Sequence, residues 1–145
     1  MNHRIMSQID PKLIEAYRLT IFRVWDKENR ITFRVEIENP ELDSLLEVHS
    51  APTAAFLTAC NPGSQVFSPD DNDHANEALL RELGASGFHW LDGDGVDPEG
   101  EWTPETSVMV LGIGKASATE IAKKFGQNSY VWIRRGEPPL LVLTR

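Results

Sequence analysis

Hydrophobic positions along the chain fall into short blocks whose spacing switches between a helical and a strand period. Asp10-Pro11 opens the first block. Asp can cap a helix and Pro fits its first turn, and Leu13, Ile14 and Tyr17 then share one side. Apolar and polar residues alternate over residues 17–25, with Leu19 and Ile21, and again over residues 31–37, with Phe33, Val35 and Ile37. The polar run Asp26-Lys27-Glu28-Asn29-Arg30 between them predicts a hairpin turn. Asn39-Pro40 repeats the cap-plus-proline signal, and Leu42, Leu45 and Leu46 form one apolar stripe of a second short helix.

Residues 53–60 form a nearly continuous apolar run, the pattern of a strand buried on both faces, and it stops at Asn61-Pro62-Gly63-Ser64. Ser68-Pro69-Asp70-Asp71 starts a helix that the pattern carries to about Leu83, with carboxylates at its positive end. Gly84 and Gly87 end it, residues 88–91 read as extended, and residues 92–100 as a long acidic turn. Residues 107–113 predict another strand. Ser117-Ala118-Thr119-Glu120 matches a capping box, with Ala118, Ile121, Ala122 and Phe125 on one helix face and Gly126 at its end. Residues 130–133 and 140–143 close the chain as a hairpin. After the leading helix the order is ββαβαββαββ. It predicts one α+β domain, a mostly antiparallel sheet with three or four helices packed on it and residues 1–9 flexible.

Composition narrows the class. The chain has 145 residues, 41% hydrophobic and 25% charged, enough to bury roughly 70% of its unfolded surface without a staple. Cys60 is the single cysteine, and residues 1–10 carry no apolar signal-peptide segment, so the sequence predicts a cytoplasmic, reduced protein with no membrane span. A net charge of −8 opposes binding to a polyphosphate. Arg18, Arg23, Arg30 and Arg34 along the first two strands, and Arg134, Arg135 and Arg145 near the end, read as solvated faces.

At 100° per residue Asn72 and Asn76 fall on the same side as Ala75, Leu79 and Leu83. An amide aimed at a core must find partners or cost roughly 1–3 kcal/mol per group. The Asn61 to Gln65 loop is the nearest source, which makes the asparagines either props for that loop or walls of a polar pocket with Thr58, Asn61 and Ser64 at the end of a strand. Glu105, beside Trp102 where a loop enters a strand, reads as a loop cap or as a pocket carboxylate able to act as acid, base or acceptor. Gln127-Asn128, between a helix end and a strand, has the same two readings.

Other motifs fail. The stretch 112–117 lacks the first glycine of a phosphate loop and has Ala116 where a magnesium-binding hydroxyl belongs. Asp92, Asp94 and Asp97 lack the glycine and glutamate of a calcium loop. His3, His49, His74 and His89 have no partner at zinc-ligand spacing, so no metal site is expected. Cys60 reads as a small buried residue rather than a nucleophile.

Thr58-Ala-Cys-Asn-Pro-Gly-Ser64, Asn72 with Asn76, Trp102 with Pro104-Glu105-Thr106-Ser107, and Phe125-Gly-Gln-Asn128 together resemble the bacterial domain-of-unknown-function family 3293, over about residues 17–144. The resemblance implies no activity. It also implies an aromatic at the place of Cys60 and an acidic residue at that of Thr106, and this chain departs from it at both.

These readings lead to a site for a small polar ligand such as a nucleotide, a sugar or another hydroxyl-rich metabolite. Its residues are Thr58, Asn61, Ser64, Asn72, Asn76, Trp102, Gln127 and Asn128, with Glu105 as the acid or base if turnover occurs. Whether the protein is an enzyme, which cofactor it takes, and whether it is a monomer or dimer stay open. The alternative is a protein-interaction or regulatory module with an acidic surface and no catalytic activity. A third reading places single-stranded nucleic acid on the arginines with Trp25 or Trp132.

Overall fold

The computed structural model describes residues 8–145. Of the stretch expected to be flexible, residues 1–7, with His3, lie outside the described residues, while Ile9 is buried. Asp10 caps helix α1 (Pro11–Leu19), its side chain accepting from Lys12 N at 2.8 Å. The helix takes residues 17–19, which the alternation had assigned to a strand. It ends where the Thr20 hydroxyl donates to the Ala16 carbonyl at 2.9 Å.

Strands β1 (Ile21–Asp26) and β2 (Asn29–Phe33) pair antiparallel, with Asp26 opposite Asn29. Only Lys27 and Glu28 therefore form the turn, with Lys27 at φ +57°, tighter than the five-residue turn predicted. Ile37, expected on the second strand, lies beyond it and is exposed. Helix α2 (Pro40–Val48) is built as the sequence predicts. Asn39 Oδ1 accepts from Leu42 N at 3.0 Å, and Leu42, Leu45 and Leu46 are buried. The Asn39 side chain also donates to the Thr32 carbonyl, tying the helix to β2.

Strand β3 (Thr53–Leu57) lies between two neighbours, so both of its edges are paired, and residues on both of its faces are buried. Ala54 and Phe56 pack with the α2 leucines, and Ala55 and Leu57 pack on the opposite face. Helix α3 (Pro69–Ala85) starts with the Ser68 hydroxyl accepting from Asp71 N at 3.1 Å and supplies Leu79 and Leu83 to that second face. The sequence places its end at Leu83, and the helix runs two residues further.

Strand β4 (His89–Val96) is the largest departure from the pattern, because it runs through most of the stretch read as an acidic turn. Pairing decides it: residues 93–96 are bonded to β1, and residues 89–95 to strand β5 (Glu105–Leu111). Arg23 grips Asp94 through two nitrogens, with Nε donating at 2.7 Å, which settles an aspartate in a strand. Gly93 is required there, since a Cβ would stand 2.3 Å from the Arg23 carbonyl and 2.8 Å from the Phe56 ring.

Helix α4 (Lys115–Lys124) starts at Gly114, three residues before the predicted capping box, so Ser117 lies inside its first turn and caps nothing. Its buried Ala118 and Ala122 fit the expected face, and Gly126 follows its end at φ +68°. Strands β6 (Ser129–Arg134) and β7 (Leu140–Leu143) form the predicted hairpin.

The result is a single α+β domain. One seven-stranded sheet in the order β2-β1-β4-β5-β3-β6-β7 is antiparallel at every pairing. Helix α2 covers one face, and α3 and α4 the other. Among the described residues no helix is long and apolar enough to cross a membrane.

Candidate functional site

Where β3 ends, the chain bends away from the sheet, and Thr58 holds the bend. Its hydroxyl donates to the Thr106 carbonyl at 2.7 Å and accepts from Cys60 N at 3.0 Å. Asn61 then takes the left-handed conformation, φ +47°, which Asn tolerates better than most residues, and a short 3-10 turn, Pro62–Ser64, follows. Helix α3 meets this loop with both asparagines that helical spacing aimed inward. Asn76 Oδ1 accepts from Ala59 N at 3.1 Å. Asn72 Oδ1 accepts from Asn61 N at 2.8 Å, and its Nδ2 donates to Asn61 Oδ1 at 2.9 Å. That same oxygen accepts from Phe67 N at 2.9 Å.

The segment after α4 braces the loop from the other side. Gly63 N donates to the Gly126 carbonyl at 2.7 Å, and Gln127 Nε2 donates to the carbonyls of Cys60 and Phe125. Asn128 is buried. Its Nδ2 donates to the Tyr17 hydroxyl at 3.0 Å and to Ser64 Oγ at 3.3 Å, while its Oδ1 accepts from Arg145 Nε. The Tyr17 and Ser64 hydroxyls bond each other. Tyr17, which the hydrophobic pattern offers both to an apolar helix side and to the start of a strand, thus joins a network with a residue 111 positions away. No local signal marks such a partnership.

Glu105 opens β5 at the centre of this arrangement. Its Oε2 accepts from Asn61 Nδ2 at 2.8 Å. Burial pushes the Glu105 pKa above the usual carboxylate range, and the Asn61 hydrogen bond opposes the shift. The other oxygen, Oε1, has no hydrogen-bond partner among the described residues and stays accessible.

Glu105 lines a cleft of about 670 Å³, and all of the residues singled out from the sequence, from Thr58 to Asn128, line it as well. Part of the lining has no signature in the sequence: Phe22, Phe56, Val131 and Leu141 contribute an apolar floor, and Tyr17 of α1 lines the cleft as well. Trp102, 38% exposed, stands at the rim.

Several other candidates have structural roles. Cys60 is buried, with Asn76 Nδ2 3.2 Å from its sulfur and its thiol directed at the Thr106 carbonyl at 3.6 Å. Asp94 is held by Arg23, and Asp97 accepts from the backbone N–H groups of Glu99 and Glu101. His49 contacts Asp26 at 2.9 Å. Arg18 pairs with Glu36 and Arg134 with Glu137, while Arg23 also lies over the Trp25 ring, 5.4 Å from its centroid. The charge of these three arginines is therefore already met by acidic neighbours.

A family model described as a protein of unknown function (DUF3293) matches residues 57–129. The match runs from the last residue of β3 to the first of β6, a narrower span than residues 17–144, and it contains every residue singled out for the site. No curated protein and no solved structure matches significantly.

Proposed function

Starting from the fact that the chain belongs to the DUF3293 family, we propose that it binds a small polar molecule in the cleft, anchored by Glu105. The observation that carries this reading is the Glu105 carboxyl. One oxygen is fixed by Asn61, and the other is unpartnered at the wall of a 670 Å³ cleft. The volume falls within the range of small-molecule sites, roughly 300–1,000 Å³, and such sites combine apolar walls with a few placed polar groups. Asn61 is itself held by Asn72 and Phe67 N, so the carboxyl is oriented before any ligand arrives. If the bound molecule is turned over, Glu105 is the group that gives or takes the proton.

A thermal-shift screen of nucleotides, sugars and common metabolites tests the reading, run on the parent and on Glu105→Met with folding of the variant checked by circular dichroism. A ligand present at a hundred times its Kd adds about 2.7 kcal/mol, a rise of roughly 5–11 °C for a domain of this size. The expected result is such a rise in the parent and little in the variant. Equal rises in both would remove Glu105 from the site, and no rise across the panel would remove the site.

A further inference from the structure

The hydrogen bonds around the cleft narrow the class of ligand. A sugar presents several hydroxyl groups, each of which loses water on entry and needs a protein partner. Most of the side-chain N–H donors of this cleft are poor partners because they are bonded to the protein, and what keeps hydrogen-bonding capacity beside Glu105 is Gln127 Oε1 and the hydroxyls of Thr103, Thr106 and Ser129. Thr58, Asn72 and Asn76 hold the loop backbone and Cys60, Gln127 Nε2 holds two carbonyls, and Asn128 is bonded to Tyr17, Ser64 and Arg145. Phe22, Phe56, Val131 and Leu141 give the cleft an apolar side, with Trp102 at the rim, and Asp73 adds a second carboxylate to the lining.

Building on the proposed role of Glu105, we infer that the ligand is an amino-substituted aromatic nitrogen heterocycle, whose ring rests on the apolar floor while its amino group and adjacent ring nitrogen pair with the Glu105 carboxyl. A carboxyl and such an edge match in both protonation states. A neutral acid donates O–H to the ring nitrogen and accepts from the amino group, and a carboxylate accepts two N–H bonds from the protonated ring. The proton changes atom, and the count of hydrogen bonds does not. Oε1 is unpartnered, and Oε2 keeps a second lone pair beyond the Asn61 bond, so both oxygens can take part. A flat ring also suits the exposed Trp102 at the rim, on which it can stack.

The test is a thermal-shift and calorimetric titration with adenine, cytosine, 6-dimethylaminopurine and glucose on the parent, Glu105→Met and Trp102→Ala. Adenine or cytosine is expected to raise the parent's melting temperature, whereas 6-dimethylaminopurine, which lacks the amino donor, and glucose leave it unchanged. Glu105→Met should abolish the effect. Trp102→Ala, a substitution at an exposed position with little bearing on folding, should weaken binding by about tenfold. A Glu105-dependent shift with glucose and none with either base would overturn the inference while leaving the site intact. Binding of 6-dimethylaminopurine as tight as that of adenine would also overturn it. A base that binds Glu105→Met as well as the parent would overturn both this inference and the proposed anchor.

Discussion

Replacing Asn72 by Ala tests whether the left-handed loop is held in place by α3. In the folded protein Asn72 Oδ1 is the acceptor for Asn61 N at 2.8 Å, and Asn72 Nδ2 is one of two donors to Asn61 Oδ1. Alanine leaves the partly buried Asn61 N–H without an acceptor, at a cost of about 1–3 kcal/mol. Asn61 Oδ1 keeps Phe67 N, so its loss is smaller. Alanine is also the better helix former, which returns about half a kcal/mol. The net loss is about 1–2.5 kcal/mol, or roughly 2–10 °C in melting temperature for a domain of this size. Urea unfolding should show a lower midpoint with the slope unchanged, which assigns the loss to the native fold. Asn72→Asp, which keeps the acceptor and loses only the donor, should recover part of the difference. An Asn72→Ala protein as stable as the parent would refute the bracing role.

Glu105→Gln probes the buried carboxyl. Its pKa is raised by burial, so protonation favours the fold. That contribution is complete below the unfolded-chain value and is lost as pH rises through the folded one. The stability of the parent relative to Glu105→Gln should therefore be greatest in acid and shrink as the pH rises, and urea midpoints in which the difference stays flat or grows with pH would contradict this. Gly93→Ala puts a methyl group against the Arg23 carbonyl and the Phe56 ring, at about 1–3 kcal/mol or more, and a melting temperature within a degree of the parent's would count against the packing. Leu46→Ala, at a position with no exposure, should cost about 2–5 kcal/mol, whereas Val66→Ser, at a position 95% exposed, should stay within about 0.5 kcal/mol; calorimetry on the pair distinguishes core from rim.

Features with a local cause were legible in the sequence. Asp10, Asn39 and Ser68 cap helices because a short polar side chain followed by proline can satisfy a free backbone N–H with no help from the rest of the fold. The inward asparagines of α3 follow from helical geometry, and their burial required partners that the neighbouring loop supplies. The α2 leucine stripe, the doubly covered β3 and the closing hairpin rest on the same short-range periodicity.

Other features belong to the tertiary structure. Residues 92–96 are polar and glycine-rich, a turn by composition, yet they are a strand because β1 and β5 supply hydrogen bonds on both sides and Arg23 neutralises Asp94. α4 begins at Gly114 although the better capping residues come three positions later. The cleft shows the division most clearly. Its polar rim was visible as short phrases in the sequence, but its floor unites Phe22, Phe56 and Leu141 from three separate strands, and Tyr17 joins Asn128 across 111 residues. Short-range patterns record which groups need a partner. Only the packing of distant segments decides which partner they find, and which group, such as one oxygen of Glu105, is left without one among the described residues.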